Sequence, residues 1–124
     1  MPHRKPLFAI SAAALLSLVA TSTLAEMPEM DLDGGDPGAG KQVAMDRARG
    51  NCIACHWMPE GDSPGAIGPA LVAMQTRYPD KRDLAEQIWD PTIKTPTVVM
   101  PPFGKHGILS DKDFRDVVAY IWSL

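Results

Sequence analysis

The sequence predicts an all-α fold of short helices joined by long loops. Apolar residues recur at helical spacing, but only in short runs such as Leu84, Ala85, Ile88, Trp89 and Phe114, Val117, Val118, Ile121. Between these runs stand most of the 10 glycines and 12 prolines of the 124 residues, which break any longer regular element. The third observation supplies the centre of the fold. Cys52-Ile53-Ala54-Cys55-His56 reads C-x-x-C-H, the pattern for covalent attachment of a c-type haem. Two thiols three positions apart reach the two vinyl groups on one porphyrin edge, and His56 then offers a nitrogen to iron. A chain this small buries a limited core, so the helices are expected to pack around one covalently bound haem.

Two other readings of the motif compete. A redox C-x-x-C pair wants a βαβ setting, and no strand pattern precedes Cys52. A structural zinc site wants four ligands, whereas Cys52, Cys55 and His56 give three within one turn. Cys52 and Cys55 are the only cysteines in the chain, so neither has another partner.

The N-terminus has the order of a cleavable signal peptide over residues 1–25. His3, Arg4 and Lys5 are basic, Leu7 to Ala20 is apolar, and Thr23-Leu24-Ala25 gives small residues at the cleavage point. Export to the periplasm follows: the apolar run is shorter than the ~20 residues a span needs, so cleavage is expected over an uncleaved N-terminal anchor. No second apolar run of that length follows to span a membrane. The remainder, Glu26 to Leu124, holds ten basic and 15 acidic residues, a net of −5. That balance excludes a nucleic-acid ligand, which needs a basic face.

Glu26 to Gly40, acidic and rich in Gly and Pro, reads as a flexible leader before a single domain over residues 41–124. Lys41 to Arg49 reads as the first helix, with Val43, Ala44 and Ala48 apolar and Gly50 ending it. Pro59 to Pro69 is loop, and Pro69 to Tyr78 a short helix with Leu71, Val72 and Met74 turned inward. Asp80 caps a helix to Trp89 that Asp90-Pro91 stops. Thr92 to Gly107 is extended loop. Ser110 caps the last helix, with Asp113 placed for a capping box and Leu109 with Phe114 for a hydrophobic staple.

His56 leaves one axial position of iron to fill. Met45, Met58, Met74, Met100 and His106 are the candidates. Met58 is two residues from His56 and cannot easily cross to the opposite face. Met45 and Met74 sit on apolar helical faces and read as core. Met100 precedes Pro101 and Pro102, which stiffen its loop, and is the expected ligand. His106, in a Gly-flanked polar loop, is its rival. Phe103, Trp89 and Leu71 are expected cover for the haem, and the Pro69 carbonyl is placed to accept the Nδ1 proton of His56. A closed His/Met site favours electron transfer over oxygen chemistry, and methionine raises the potential relative to a second histidine.

Gly50-Asn51-Cys52-Ile53-Ala54-Cys55-His56 and Gly65-Ala66-Ile67-Gly68-Pro69-Ala70-Leu71 resemble the haem site and following loop of class I cytochromes c. Gln87-Ile88-Trp89-Asp90 and Val99-Met100-Pro101-Pro102-Phe103-Gly104-Lys105-His106-Gly107-Ile108-Leu109 resemble the narrower SoxX family, the small monohaem subunits of the SoxXA cytochromes of sulfur-oxidising bacteria. The resemblance covers most of Gly50 to Leu124. It implies a class I cytochrome c fold, one haem c on Cys52 and Cys55, and iron ligated by His56 and Met100. It implies a periplasmic heterodimer with a SoxA-type catalytic cytochrome. That complex couples thiosulfate oxidatively to a cysteine of a SoxYZ-type carrier, an oxidative L-cysteine S-thiosulfotransferase reaction, and passes electrons to a soluble cytochrome. This chain offers no nucleophile or acid–base pair of its own, which fits the non-catalytic electron-transfer subunit. A free monohaem carrier without an obligate partner is the alternative, and a haem sensor with a weakly held Met100 a third.

Overall fold

A computed structural model describes residues 26–124, and the signal-peptide reading of residues 1–25 lies outside the described residues. The described residues contain helices and no strand: α1 Pro37–Met45, a single 3-10 turn Cys52–Ala54, α2 Met74–Arg77, α3 Lys81–Trp89 and α4 Asp111–Trp122. The all-α expectation holds.

The first helix begins four residues earlier than its apolar pattern suggested. Asp36 Oδ1 accepts from Gly38 N at 2.8 Å and Ala39 N at 3.3 Å, and Pro37 occupies the first turn, where it costs no hydrogen bond. The helix also ends earlier. The Asp46 carboxylate accepts from Ala48 N at 2.8 Å and its carbonyl from Asn51 N at 2.9 Å, so Asp46 to Arg49 form turns instead of helix. The boundary drawn at residue 41 is therefore corrected: the expected leader contains the cap and first turn of α1. Its earlier part is packed as well. Met27 is buried, its carbonyl accepts from Arg82 Nη2 at 3.3 Å, and Asp33 pairs with Lys81 at 2.6 Å.

The principal helix contact is α1 against α4. It depends on a missing side chain. A Cβ on Gly40 would collide with the Asp116 carbonyl and come within 2.9 Å of Tyr120 Cβ. Glycine therefore lets the two backbones meet. Asp116 secures the same crossing: its Oδ1 accepts from Asp36 N at 2.8 Å and its Oδ2 from Lys112 Nζ at 2.5 Å. Burial pushes this carboxyl up, but Lys112 and the Asp36 amide outweigh it and hold the group below the usual carboxylate range. Gly40→Ala is expected to destabilise the protein by about 2 kcal/mol, because the obstructing atoms are backbone and cannot rotate away. Urea denaturation of the two haem-loaded proteins checks this; an unchanged midpoint would contradict the close crossing.

Ser110 Oγ accepts from Asp113 N at 3.1 Å and opens α4, and Leu109 and Phe114 are both buried beside it. Asp113 departs from the expected capping box, reaching instead to Arg49 Nη1 at 3.7 Å. Phe114, Val117, Val118 and Ile121 form the buried face of α4. Asp80 caps α3 through Arg82 N at 2.8 Å, and Leu84, Ala85 and Ile88 face inward. The helix expected over Pro69 to Tyr78 shrinks to α2, and Val72 points outward at 39% exposure. The backbone before α2 is committed elsewhere, to the loop around His56.

Candidate functional site

The motif is set by the turn that precedes it. Gly50 N donates to the Val43 carbonyl at 3.2 Å, against the end of α1, and Asn51 takes a left-handed φ of 48°. The chain then closes a tight turn in which Cys55 N and His56 N both donate to the Cys52 carbonyl, at 3.2 and 3.0 Å. Cys52, Cys55 and His56 are thereby held on one short piece of backbone.

The loop that follows wraps back along this turn. Gly65 N donates to Ile53 O, Gly68 N to Cys55 O and Leu71 N to Trp57 O, each at 2.8 Å. At Gly68 the loop presses on the His56 ring so closely that a Cβ would collide with the imidazole. His56 Nδ1 lies 2.7 Å from the Pro69 carbonyl. A carbonyl only accepts, so Nδ1 carries the proton and Nε2 keeps its lone pair for a metal.

These groups open on a cavity of about 520 Å³ with a largely apolar wall. Cys52, Cys55, His56 and Met100 all stand in that wall, so two loops separated by more than forty residues converge there. Leu71 and Phe103 line it, as expected of cover. Trp89 does not belong to this wall. It packs edge-on against Phe114, ring centroids 5.6 Å apart, beneath the Met100 loop. Among the other sulfur and imidazole candidates, Met58 is fully buried away from the cavity and His106 is exposed outside it. Met45 lies half-buried against the core, while Met74 does reach the wall, with Arg77 Nη1 3.5 Å from its sulfur.

Several wall residues carry no sequence signal. Ile67, Val99 and Ile108 are loop residues without periodicity, yet they rim the cavity and stay 45% or more exposed. Arg47, Arg49 and Arg77 are the charged residues of the wall, and no carboxylate joins them. The cavity therefore favours an apolar body that bears negative charge at its margin.

The Cys52 thiol does not suit redox chemistry. Burial pushes the Cys52 thiol up to about 11, whereas a reactive C-x-x-C pair requires a lowered value. Among the described residues, no three His, Cys, Asp or Glu side chains are grouped to hold a metal ion. The chemistry of this set suits a flat, tethered macrocycle: two thiols at one edge, an imidazole nitrogen, a thioether and apolar cover.

The Met100 loop is fastened to the end of α3. Phe103 N donates to Ile88 O and Lys105 N to Trp89 O, each at 3.2 Å. Buried Asp90 accepts from Lys105 Nζ at 2.5 Å on one oxygen, and from Thr92 N at 3.1 Å and Thr92 Oγ1 at 2.5 Å on the other. Lys105, then Thr92, holds the Asp90 carboxyl below its ordinary range.

Comparison with known proteins agrees with this geometry. Residues 35–121 match the family described as cytochrome c oxidase, cbb3-type, subunit III. A chain of the SoxXA crystal structure from P. pantotrophus superposes with a TM-score of 0.66 at 27% identity, covering 77% of this chain and 87% of that one. An uncharacterized lipoprotein of Aquifex aeolicus is 36% identical over 74 residues, which are 59% of this chain. The match spans only 36% of that relative's length. The match over residues 35–121 spans most of the chain and contains the whole C-x-x-C-H turn and the Met100 loop: the protein belongs to this cytochrome c family, with the fold of a SoxX-like class I cytochrome c.

Proposed function

We propose that this protein is the electron-transfer subunit of a SoxXA-type complex, carrying one haem c. The observation that carries the reading is the convergence of Cys52, Cys55, His56 and Met100 on a single apolar cavity. In this reading Cys52 and Cys55 would hold the haem through thioethers, and His56 Nε2 and the Met100 sulfur would bind its iron. The Pro69 carbonyl fixes the His56 ring by accepting the hydrogen bond of its Nδ1–H. Bound haem supplies one-electron chemistry. With His56 and Met100 both committed to the group, and Leu71, Phe103 and Ile88 lining its cavity, the chain would keep water and small ligands away from it.

The likeness to a chain of a SoxXA structure supports a SoxA-type catalytic partner. Within that complex, thiosulfate is coupled to a cysteine of a SoxYZ-type carrier at the partner's site, and this chain passes the released electrons to a soluble cytochrome. Residues 1–25 direct export to the periplasm and are then removed. No helix among the described residues is long and apolar enough to cross a membrane.

Mild affinity purification of the tagged protein from the periplasm, with haem staining, tests the assignment. A stoichiometric second cytochrome that supports thiosulfate-dependent electron release is expected. Recovery of this chain alone, at low and moderate salt, would sink the subunit reading in favour of a free monohaem carrier.

A further inference from the structure

Met100 is held over the cavity by a loop that hangs from the C-terminal end of α3. A helix end leaves its last carbonyls without partners, and here the loop supplies them: Phe103 N takes Ile88 O and Lys105 N takes Trp89 O. Gly104, between those donors, lies so close to the Trp89 ring that any side chain there would collide with it. One side-chain bond completes the fastening. The Asp90 side chain is wholly buried, and among the described residues the cation paired with it is Lys105, whose ammonium comes from the loop and whose side chain is one-third exposed. Thr92 occupies the other Asp90 oxygen, so the carboxylate cannot swing away from the loop. Ile88, two residues before Asp90, and Phe103, within the loop, both stand in the cavity wall beside Met100.

We propose that the Asp90–Lys105 pair is a positioning device for the Met100 sulfur: by fixing the loop to α3 it sets how rarely the thioether leaves iron. The proposal rests on Met100 being an axial ligand. The pair touches neither iron nor sulfur, and it acts by keeping the loop in one place. Opening the pair frees the loop while Pro101 and Pro102 keep it stiff, so the methionine-off population rises.

Imidazole titration of the ferric, haem-loaded protein reads that population, because added imidazole binds iron only when the thioether is off. Apparent affinity scales with the fraction in the open form, and about a tenfold rise is expected in Lys105→Gln. Lys105→Arg, which can still reach Asp90, should return the affinity close to the parent value. The reduction potential should fall in Lys105→Gln and recover in Lys105→Arg. Asp90→Asn keeps the shape and removes the charge, and serves as the second variant should Lys105→Gln yield no holoprotein; the same rise is expected. A merely structural role would lower the unfolding temperature and leave imidazole affinity and potential where they were, which would overturn the proposal. Met100→Ala separates the two ideas. Raised affinity in Met100→Ala beside unchanged Lys105→Gln and Asp90→Asn defeats the positioning role alone. A Met100→Ala protein that binds imidazole no better than the parent defeats the ligand reading, and the positioning role with it.

Discussion

Met100→Ala is expected to lower the reduction potential on the order of 100 mV, within the ~0.8 V range that axial ligands span. It should also let carbon monoxide bind the reduced protein at neutral pH. The reasoning is local. Met100 is the sulfur that the proline-stiffened loop brings to the cavity wall, and removing it leaves no other donor in that loop except His106, which lies outside the wall. Thioether ligation stabilises ferrous over ferric iron, so its loss favours the oxidised form. The backbone should be little disturbed, because the bonds of Phe103 and Lys105 to α3 do not involve the Met100 side chain. Voltammetry and a carbon monoxide difference spectrum check both parts. Met74 also stands in the wall, and the double variant Met74→Ala, Met100→Ala shows whether it substitutes. A potential unchanged by Met100→Ala, with no carbon monoxide adduct, would remove Met100 from the iron.

The parts of this site that were legible in the sequence are those whose chemistry is local. Cys52, Cys55 and His56 announce themselves by spacing, and Gly68-Pro69 by its distance from His56. The last two helices were legible because Asp80 and Ser110 are caps followed by apolar stripes, so local and tertiary preferences agree. The first helix was misplaced because two aspartates decide it. Asp36 starts it and Asp46 stops it, each by bonding backbone amides two residues on. The apolar pattern registers neither. The short helix before Tyr78 failed for a different reason. Backbone amides at Gly68 and Leu71 are already bonded to the motif turn, a tertiary demand that overrides their helical spacing. The rim residues Ile67, Val99 and Ile108 were invisible because loops carry no period. The Asp90–Lys105 bond that completes the fastening of the Met100 loop to α3 joins residues fifteen apart, and only the folded chain brings those together.

Cys52→Ala with Cys55→Ala should abolish not only haem attachment but the folded domain. Helices α1 and α3 both pack on α4, yet Leu71, Met74, Ile88, Phe103, Val117 and Ile121 all turn part of their surface to the same 520 Å³ space. Left without an apolar occupant, that space costs stability in proportion to its volume. At roughly 24 cal/mol per Å³ the full cavity corresponds to about 12 kcal/mol as an upper bound, since water enters through the rim. Domains of this size hold only about 5–15 kcal/mol in all. The same loss is expected when the native chain is made in a strain lacking the haem-attachment machinery. Far-ultraviolet circular dichroism and protease sensitivity of the double variant decide the matter. A compact, helical and protease-resistant apoprotein would mean that the α1–α4 pair, with its Gly40 crossing and Asp116 anchor, suffices to hold the fold. Haem would then be a passenger in the core and not part of it.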